Sequence, residues 1–158
     1  MSEIPAPCES AAALLMLLVR VSAALEARLE RSVEPWGLSL AKVGALHHLA
    51  SAPGPLPLGQ LADRLCCVRS NVTQLVDRLE ADGLVRRVPD PSDRRSVLAA
   101  ITPAGRERFT AARAAKEQAQ AGMLAGLDDA ERETLRRLLQ RLDGAADRSE
   151  PPHPLPAA

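Results

Sequence analysis

A change in the spacing of apolar residues near Gly83 does most to limit the folds open to this chain. Before Gly83, apolar residues recur at helical intervals and leave the other positions polar. After it, residues 84–88 (LVRRV) and 96–101 (SVLAAI) are short segments rich in β-branched and aliphatic residues, separated by a run with Pro, Asp and Ser, which is typical of two strands joined by a turn. Glycine adopts the left-handed conformation that ends helices at little cost. The sequence therefore predicts a helix that ends at Gly83 and is followed directly by a β-hairpin. The apolar stripe of that helix consists of Val72, Leu75, Val76 and Leu79.

Helical patterns lie on both sides of this segment. The first is long and apolar on almost every side over its first turns, so it needs several packing partners. Ser39 is a good N-cap for the second, and Thr102-Pro103 is a typical helix start. A short extended piece is predicted around Leu56. The predicted helices cover residues 10–33, 40–51, 58–65, 69–82, 103–125 and 128–142.

The aromatic fraction is 1%, which argues against a β-sandwich because such cores draw on aromatic and β-branched residues. The predicted fold is mainly α with a small β-hairpin. Two short helices, a tight turn, a second helix with a polar start and then a hairpin follow the order of a winged helix-turn-helix.

The 20 basic and 20 acidic residues cancel over the whole chain but are unevenly distributed. Residues 64–108 carry a net charge of +3, whereas residues 1–63 carry −2 and residues 109–158 carry −1. All nine basic residues of the middle segment are Arg, which pairs bidentately with phosphates and guanine edges better than Lys does. A solvated helix face often carries an excess of this size, so the charge indicates an anionic partner only in combination with the predicted architecture.

The helix over residues 69–82 presents small polar side chains outward at its start. Ser, Asn, Thr and Gln hydrogen-bond base edges in the major groove, and Asn or Gln grips adenine bidentately. A plainer interpretation is that Ser70 and Asn71 only cap the helix and that Thr73 and Gln74 are solvated. Val68 has no side-chain acceptor, so a cap at Ser70 would start the helix slightly later. The arginine pairs that follow favour base reading. The candidates are Arg69, Ser70, Asn71, Thr73 and Gln74.

Residues 56–108 resemble the DNA-binding core of the MarR family of bacterial transcriptional regulators. Residues 60–65 (QLADRL) are similar to the first helix of its helix-turn-helix, and residues 70–85 (SNVTQLVDRLEADGLV) to its recognition helix. The run PDPSDRR at 89–95, continuing to ITPAG at 101–105, resembles its wing signature. The sequence departs from the family at the preceding turn, where Cys66-Cys67 replaces a usual Gly.

The resemblance implies a homodimer bound to double-stranded DNA. Each subunit would place one recognition helix in the major groove and one wing in the minor groove, at a roughly palindromic site with half-sites about one helical turn apart. It divides the chain into a flexible N-terminus (1–9), a helical dimerisation region (10–36 and 103–146), a winged helix-turn-helix core (37–102) and a disordered Pro-rich tail (147–158).

The resemblance also assigns roles to individual wing and arginine side chains. Arg95 matches the signature arginine that enters or flanks the minor groove, Asp93 is expected to orient it by a salt bridge, and Arg94 is expected to contact the backbone. Other arginines are candidates for phosphate contacts, which position a protein without reading sequence. These are Arg64, Arg78, Arg86 and Arg87.

Three cysteines are candidate redox thiols. Cys66 and Cys67 precede the recognition helix, where a thiol near a helix N-terminus can have a lowered pKa. The alternative is that both are small buried hydrophobic residues filling the core. Cys8 lies roughly where some peroxide-sensing relatives keep a reactive Cys, but those relatives surround it with Tyr and this chain has none.

Small-molecule binding is the other possible signal, since many relatives bind ligands between the dimer helices and the DNA-binding core. Met16, Trp36, Leu46 and His47 could line such a pocket. His47 and His48 are adjacent and point about 100° apart on a helix, so one inward and one outward His is expected and no metal site. No cofactor motif and no nucleophile–base arrangement stands out, so an enzyme is not expected.

No segment is expected to span a membrane. The most apolar run, residues 11–19, is far shorter than the ~20 residues required. Glu3 and Glu9 precede it without Lys or Arg, which is the wrong charge for an export signal. A cytoplasmic regulator, most simply a repressor relieved by an effector, is the predicted function. The alternative is a winged helix used for protein–protein contact without DNA.

Overall fold

The structure is a computed structural model that describes residues 10–93 and 96–146. Its helices are α1 (Ala11–Val33), α2 (Leu40–Ser51), α3 (Leu58–Arg64), α4 (Arg69–Ala81), α5 (Pro103–Leu124) and α6 (Asp129–Ala146). Its strands are β1 (Leu56–Pro57), β2 (Val85–Pro89) and β3 (Val97–Ile101), and a single 3-10 turn covers Glu34–Trp36. The predicted mainly α fold with a small hairpin is confirmed, and most helix ends agree within one or two residues; α6 runs four residues further than predicted.

Side-chain caps account for several of these helix starts. The hydroxyl of Ser10 accepts from Ala13 N at 3.1 Å, that of Ser39 from Lys42 N at 3.3 Å, and that of Thr102 from Gly105 N at 3.0 Å. Gly83 follows α4 with φ +71, as its position predicted. Local sequence signals therefore set these boundaries.

The start of α4 is different. The helix begins at Arg69 with Val68 at the N-cap position, and no side chain caps it. The prediction that Ser70 caps a later start was wrong, because Ser70 already lies in the first turn of α4. The first N–H groups of this helix are consequently left without a side-chain acceptor in the described part of the chain.

The sheet has three antiparallel strands in the order β1-β3-β2. Ala99 of the central strand lies opposite Leu56 on one side and Arg87 on the other. The extended piece around Leu56 is thus the third strand of the sheet. A two-residue strand has no periodicity of its own, so its pairing with β3 could not be predicted from the local pattern.

The core gathers α2, α3, α4 and the sheet, with one residue from the end of α1 and two from α5. Its largest fully buried side chains are Leu46, Leu61, Leu79 and Leu84. Phe109 is its single aromatic member among the described residues. Aliphatic side chains therefore supply nearly all of the buried apolar area that stabilises the fold.

The chain forms two compact units, one up to Gln120 and one from Ala121 onward. The first contains the core. In the second, the side chains from Asp129 to Gly144 are all exposed, including the leucines at 135, 138, 139 and 142. The first unit also carries exposed apolar side chains, on the N-terminal half of α1: Leu14, Leu15, Met16, Leu17, Val19 and Val21. Among the described helices, none combines the length and the hydropathy that a bilayer-spanning segment needs.

Candidate nucleic-acid interface

The turn between α3 and α4 sets the direction in which α4 leaves α3. Cys66 N donates to Asp63 O at 3.2 Å and Cys67 N donates to Ala62 O at 3.1 Å, the paired bonds of a Schellman motif. Cys66 has φ +50 and is the single non-glycine residue with positive φ among those described. Both cysteines are exposed, so the interpretation of them as buried core residues was wrong.

Helix α4 is held by one apolar face. Val72, Val76 and Leu79 are buried and Leu75 is half-buried, as the stripe predicted. All five candidate base-reading residues, Arg69, Ser70, Asn71, Thr73 and Gln74, are exposed. The Thr73 hydroxyl donates to Arg69 O at 3.0 Å, and its oxygen can still accept a hydrogen bond. The arrangement leaves a polar face that can hydrogen-bond an outside partner.

Three of the candidate phosphate-binding arginines share this exposed environment. Arg64 ends α3, Arg78 lies on α4 and Arg86 lies on β2, and each is exposed. Within the described part of the chain, none of the three forms an ion pair with a carboxylate. Their positive charges are consequently available to an anion.

Arg87 is placed differently from the other three. Its Nη1 lies 2.6 Å from Glu80 Oε2, its Nη2 lies 2.6 Å from Asp77 Oδ1, and its backbone N donates to Glu80 Oε1 at 2.9 Å. These hydrogen bonds lower the pKa of Glu80, and the one from the Arg87 backbone has a larger effect than the one from its guanidinium. The hydrogen bond to Asp77 is the largest influence on Arg87 and raises its pKa; burial opposes it, and the hydrogen bond to Glu80 raises the pKa further.

The base of the wing tip is organised by a short polar turn. Asp90 Oδ1 accepts from Ser92 N at 2.8 Å and from Ser92 Oγ at 2.6 Å, and these bonds lower the pKa of Asp90. Ser96 N donates to Asp93 O at 2.9 Å. Arg94 and Arg95 lie outside the described residues, so the predicted salt bridge between Asp93 and Arg95 stays a prediction.

The four predicted effector-pocket residues do not line one cavity. His47 lines a cavity of about 240 Å³ between α2 and α5, with Phe109, Arg113 and Lys116 among its other walls. Leu46 is fully buried in the core, Trp36 is 41% exposed after α1, and Met16 lies on the exposed face of α1.

The histidines and cysteines within residues 10–93 and 96–146 do not assemble a metal site. His47 is exposed and His48 half-buried, and burial, then His47 and then Arg64 lower the pKa of His48. The described residues contain no cluster of three or more His, Cys, Asp or Glu side chains suited to a metal ion. Cys8 lies outside the described residues.

These elements define a winged helix-turn-helix protein whose polar helix face and exposed arginines suit nucleic acid. Comparison with known proteins agrees: residues 36–96 match the model of the MarR family. The chain is 31% identical over 126 residues to the HTH-type transcriptional repressor Rv2887 of Mycobacterium tuberculosis, covering 80% of this chain and 90% of that one. The chain therefore belongs to the MarR family of transcriptional regulators.

Other relatives extend the comparison. The transcriptional activatory protein BadR of Rhodopseudomonas palustris is 39% identical over 119 residues, 72% of this chain and 67% of that one. YkoM of Bacillus subtilis is 43% identical over 63 residues, and the match spans 40% of this chain and 41% of YkoM. The structure of CouR from Rhodococcus jostii RHA1, bound to p-coumaroyl-CoA, superposes with a TM-score of 0.68 at 28% identity, over 87% of this chain and 94% of that one.

Proposed function

We propose that the protein is a homodimeric repressor that binds a pseudo-palindromic operator. The observation that carries the proposal is the exposed polar face of α4, together with the exposed Arg64, Arg78 and Arg86, which have no carboxylate partner in the described part of the chain. In this proposal Asn71 and Gln74 pair with adenine edges and Arg69 with guanine. The three arginines contact phosphates. On the wing, Arg95 approaches the minor groove, Asp93 orients Arg95 and Arg94 contacts the DNA backbone.

Dimerisation is supported by the helices outside the core. A helix with no buried side chain gains no packing energy by itself, and most helical stability in proteins comes from packing an amphipathic face. Helix α6 has no buried side chain between Asp129 and Gly144, and the first half of α1 has none either. A second copy of the chain would cover both apolar faces and place two recognition helices on one duplex.

The relatives do not agree on whether binding represses or activates transcription. Rv2887 is named a repressor and BadR an activatory protein. We propose repression, because a protein bound at a promoter blocks RNA polymerase without needing any further contact. A reporter assay with the protein's own upstream region checks this: expression should rise when the protein is removed, and a fall would indicate activation instead.

DNA binding itself is tested by a mobility-shift assay on that upstream region over a series of salt concentrations. We expect log K to fall with log salt by about 0.9 for each phosphate contacted. Arg78→Ala should reduce the slope by about one such contact. Arg137→Ala, which removes an exposed arginine from α6, is the matched control and should leave the slope unchanged. Absent or salt-insensitive binding would favour the protein–protein interaction module instead.

Base reading is tested separately from phosphate contact. Asn71→Ala and Gln74→Ala should each lower affinity for the operator by about 1–3 kcal/mol and relax specificity at one base pair. Affinity for random duplex should change little, since phosphate contacts dominate non-specific binding. An equal loss on both DNAs would assign these residues a structural role.

We propose a small anionic ligand as one inducing signal. The cavity between α2 and α5 combines an aromatic wall, Phe109, with the basic Arg113 and Lys116. Arg113 pairs with Glu117 at 3.2 Å, whereas Lys116 has no carboxylate partner in the described part of the chain. CouR binds p-coumaroyl-CoA, a thioester that joins an aromatic ring to the anionic phosphates of CoA, and an aromatic carboxylate also combines a ring with a negative charge. Titration calorimetry with benzoate and with p-coumaroyl-CoA tests this; Lys116→Ala should abolish the heat of binding, and unchanged heat would reject the cavity.

Oxidation of Cys66 and Cys67 is the second candidate signal, supported by the exposure of both thiols. Peroxide would take both thiol hydrogens and two electrons, leaving one disulfide and two waters. A disulfide between neighbours would distort the turn that directs α4. Peroxide should therefore release DNA from the wild type and not from Cys66→Ser or Cys67→Ser. Equal release from all three proteins would exclude this pair.

A further inference from the structure

Arg87 lies on the outer edge of the wing sheet. The strand order β1-β3-β2 makes β2 an edge strand, and edge strands leave a row of backbone N–H and C=O groups without a neighbouring strand. Here Glu80 Oε1 of α4 accepts the Arg87 N–H at 2.9 Å. The recognition helix thus supplies a partner to the open edge of the sheet.

The side chain of Arg87 adds two further bonds to the same helix. Nη1 and Nη2 reach Glu80 and Asp77, both at 2.6 Å. These two acids are three residues apart and so lie on one face of the helix. A planar guanidinium with its donors in a fixed fork holds two carboxylates in a defined geometry, which a lysine ammonium cannot do.

The charges of this cluster oppose a phosphate contact. One guanidinium and two carboxylates sum to a net charge of −1, and the Arg87 side chain is only 27% exposed. Arg86, its neighbour on the strand, is exposed and has no carboxylate partner in the described region. Two adjacent arginines of the same strand therefore occupy opposite electrostatic environments.

We infer that Arg87, Glu80 and Asp77 form a clamp that fixes the wing relative to the recognition helix, with Arg87 as a positioning residue and not a phosphate contact. This inference rests on the proposed DNA binding. The recognition helix and the wing must enter neighbouring grooves of one duplex together, so their relative placement decides whether both can engage. Loss of the clamp weakens operator binding more than binding to random DNA.

The experiment measures the affinity of the full chain for its upstream DNA and for a random duplex over a salt series. The decisive variant is Glu80→Gln, because removing a negative charge near DNA should strengthen a purely electrostatic interaction. The clamp instead predicts that Glu80→Gln and Arg87→Lys each weaken operator binding by about ten-fold, since charge-assisted hydrogen bonds are lost. The salt slope should stay that of the wild type.

The opposite results would overturn the inference. If Arg87 binds a phosphate, Glu80→Gln raises or preserves affinity, Arg87→Lys binds like the wild type, and Arg87→Ala lowers the salt slope by about 0.9. Glu107→Gln, which removes an exposed carboxylate elsewhere in the basic segment, is the charge control and should not weaken binding. Arg86→Ala should lower the slope in either case.

Two measurements keep failure of the clamp separate from failure of folding or of DNA binding. Circular dichroism and thermal unfolding establish that each variant is folded at the assay temperature. Hydrogen exchange at the Arg87 amide tests the clamp without DNA: Glu80→Ala should accelerate it relative to the wild type, and Glu107→Ala should not. Unchanged exchange would overturn the clamp even if no operator were found, whereas absent DNA binding with accelerated exchange would overturn only the proposed function.

Discussion

Gly105 lies where the start of α5 crosses the exit of the recognition helix, and a side chain there would meet backbone atoms. A Cβ at this position would lie 2.1 Å from Leu84 O and 2.9 Å from Ile101 Cγ1. The carbonyl cannot move away cheaply, because Thr102 N donates to it at 3.0 Å and the Thr102 hydroxyl donates to Gly83 O at 2.8 Å. Only glycine fits at position 105, because it has a hydrogen atom where other residues have a Cβ.

We therefore expect Gly105→Ala to lower the free energy of unfolding by at least the roughly 1–3 kcal/mol typical of overpacking. Urea denaturation checks this. Gly144→Ala is the matched control: it lies in α6 with no atom near its Cβ position, so it should preserve or slightly raise stability through helix propensity. Equal effects from the two variants would contradict the crossing argument.

We expect Glu80 to make the stability of the fold depend on pH. Its pKa is lowered from the ordinary 4.5 because it accepts hydrogen bonds from Arg87. A carboxyl whose pKa is lower in the folded state stabilises the fold above its unfolded pKa, and the effect is lost as pH falls through the folded value. Urea denaturation should show the free energy of unfolding falling below about pH 4.5, with a smaller fall in Glu80→Gln. Identical pH profiles for the two proteins would show that the ion pairs do not stabilise the fold.

At the scale of elements, the recognition helix α4 has a fixed outward face but no side-chain cap at its start. Three buried apolar residues, Val72, Val76 and Leu79, fix which face points outward. The Schellman motif at Cys66 and Cys67 fixes where the helix begins. Val68 has the extended backbone of an N-cap, with φ −67 and ψ 145, but no side-chain acceptor.

Val68→Ser should add the missing cap. An N-cap hydroxyl contributes about 1 kcal/mol, and Val68 is 63% exposed, so little burial is lost. Thermal unfolding should show a higher Tm for Val68→Ser than for the wild type. Val68→Ala, which has no hydroxyl, should not raise Tm; a rise in both would mean that removing exposed valine, and not capping, is responsible.

At the scale of the whole molecule, the apolar surfaces exposed on α1 and on α6 are the feature that the described part of one copy leaves uncovered. Leu138 and Leu142 are 46% and 49% exposed on α6. Large contiguous apolar patches on a protein surface mark interaction sites. In the proposed homodimer these faces form the interface between the two copies. A two-fold DNA site needs two winged helices related by the same symmetry.

Leu138→Glu combined with Leu142→Glu should convert a dimer into a monomer, because four carboxylates would have to be buried at a two-fold interface. Sedimentation velocity measures the mass, and the monomer should not shift operator DNA at concentrations that saturate the wild type. Gln140→Glu places the same residue on another face of α6 and should remain dimeric. A wild type that sediments as a monomer would contradict the proposal.

The sequence alone predicted the order of the elements, the ends of most helices and the outward polar face of α4. These depend on local signals: the apolar period of α4, the caps at Ser39 and Thr102, and the left-handed Gly83. Such signals act within a few residues, so they can be identified without knowing the rest of the molecule.

Only the tertiary structure decided the role of the residues whose partners are distant or whose exposure depends on packing. Arg86 and Arg87 look alike in the sequence, yet Arg87 meets Asp77 and Glu80 across the helix–sheet boundary while Arg86 remains exposed. Leu56 pairs with Ala99, forty-three positions away, and Cys66 and Cys67 are exposed where burial was the alternative. Each outcome depends on how separate elements pack, and that packing is set by the whole core and not by neighbours in the chain.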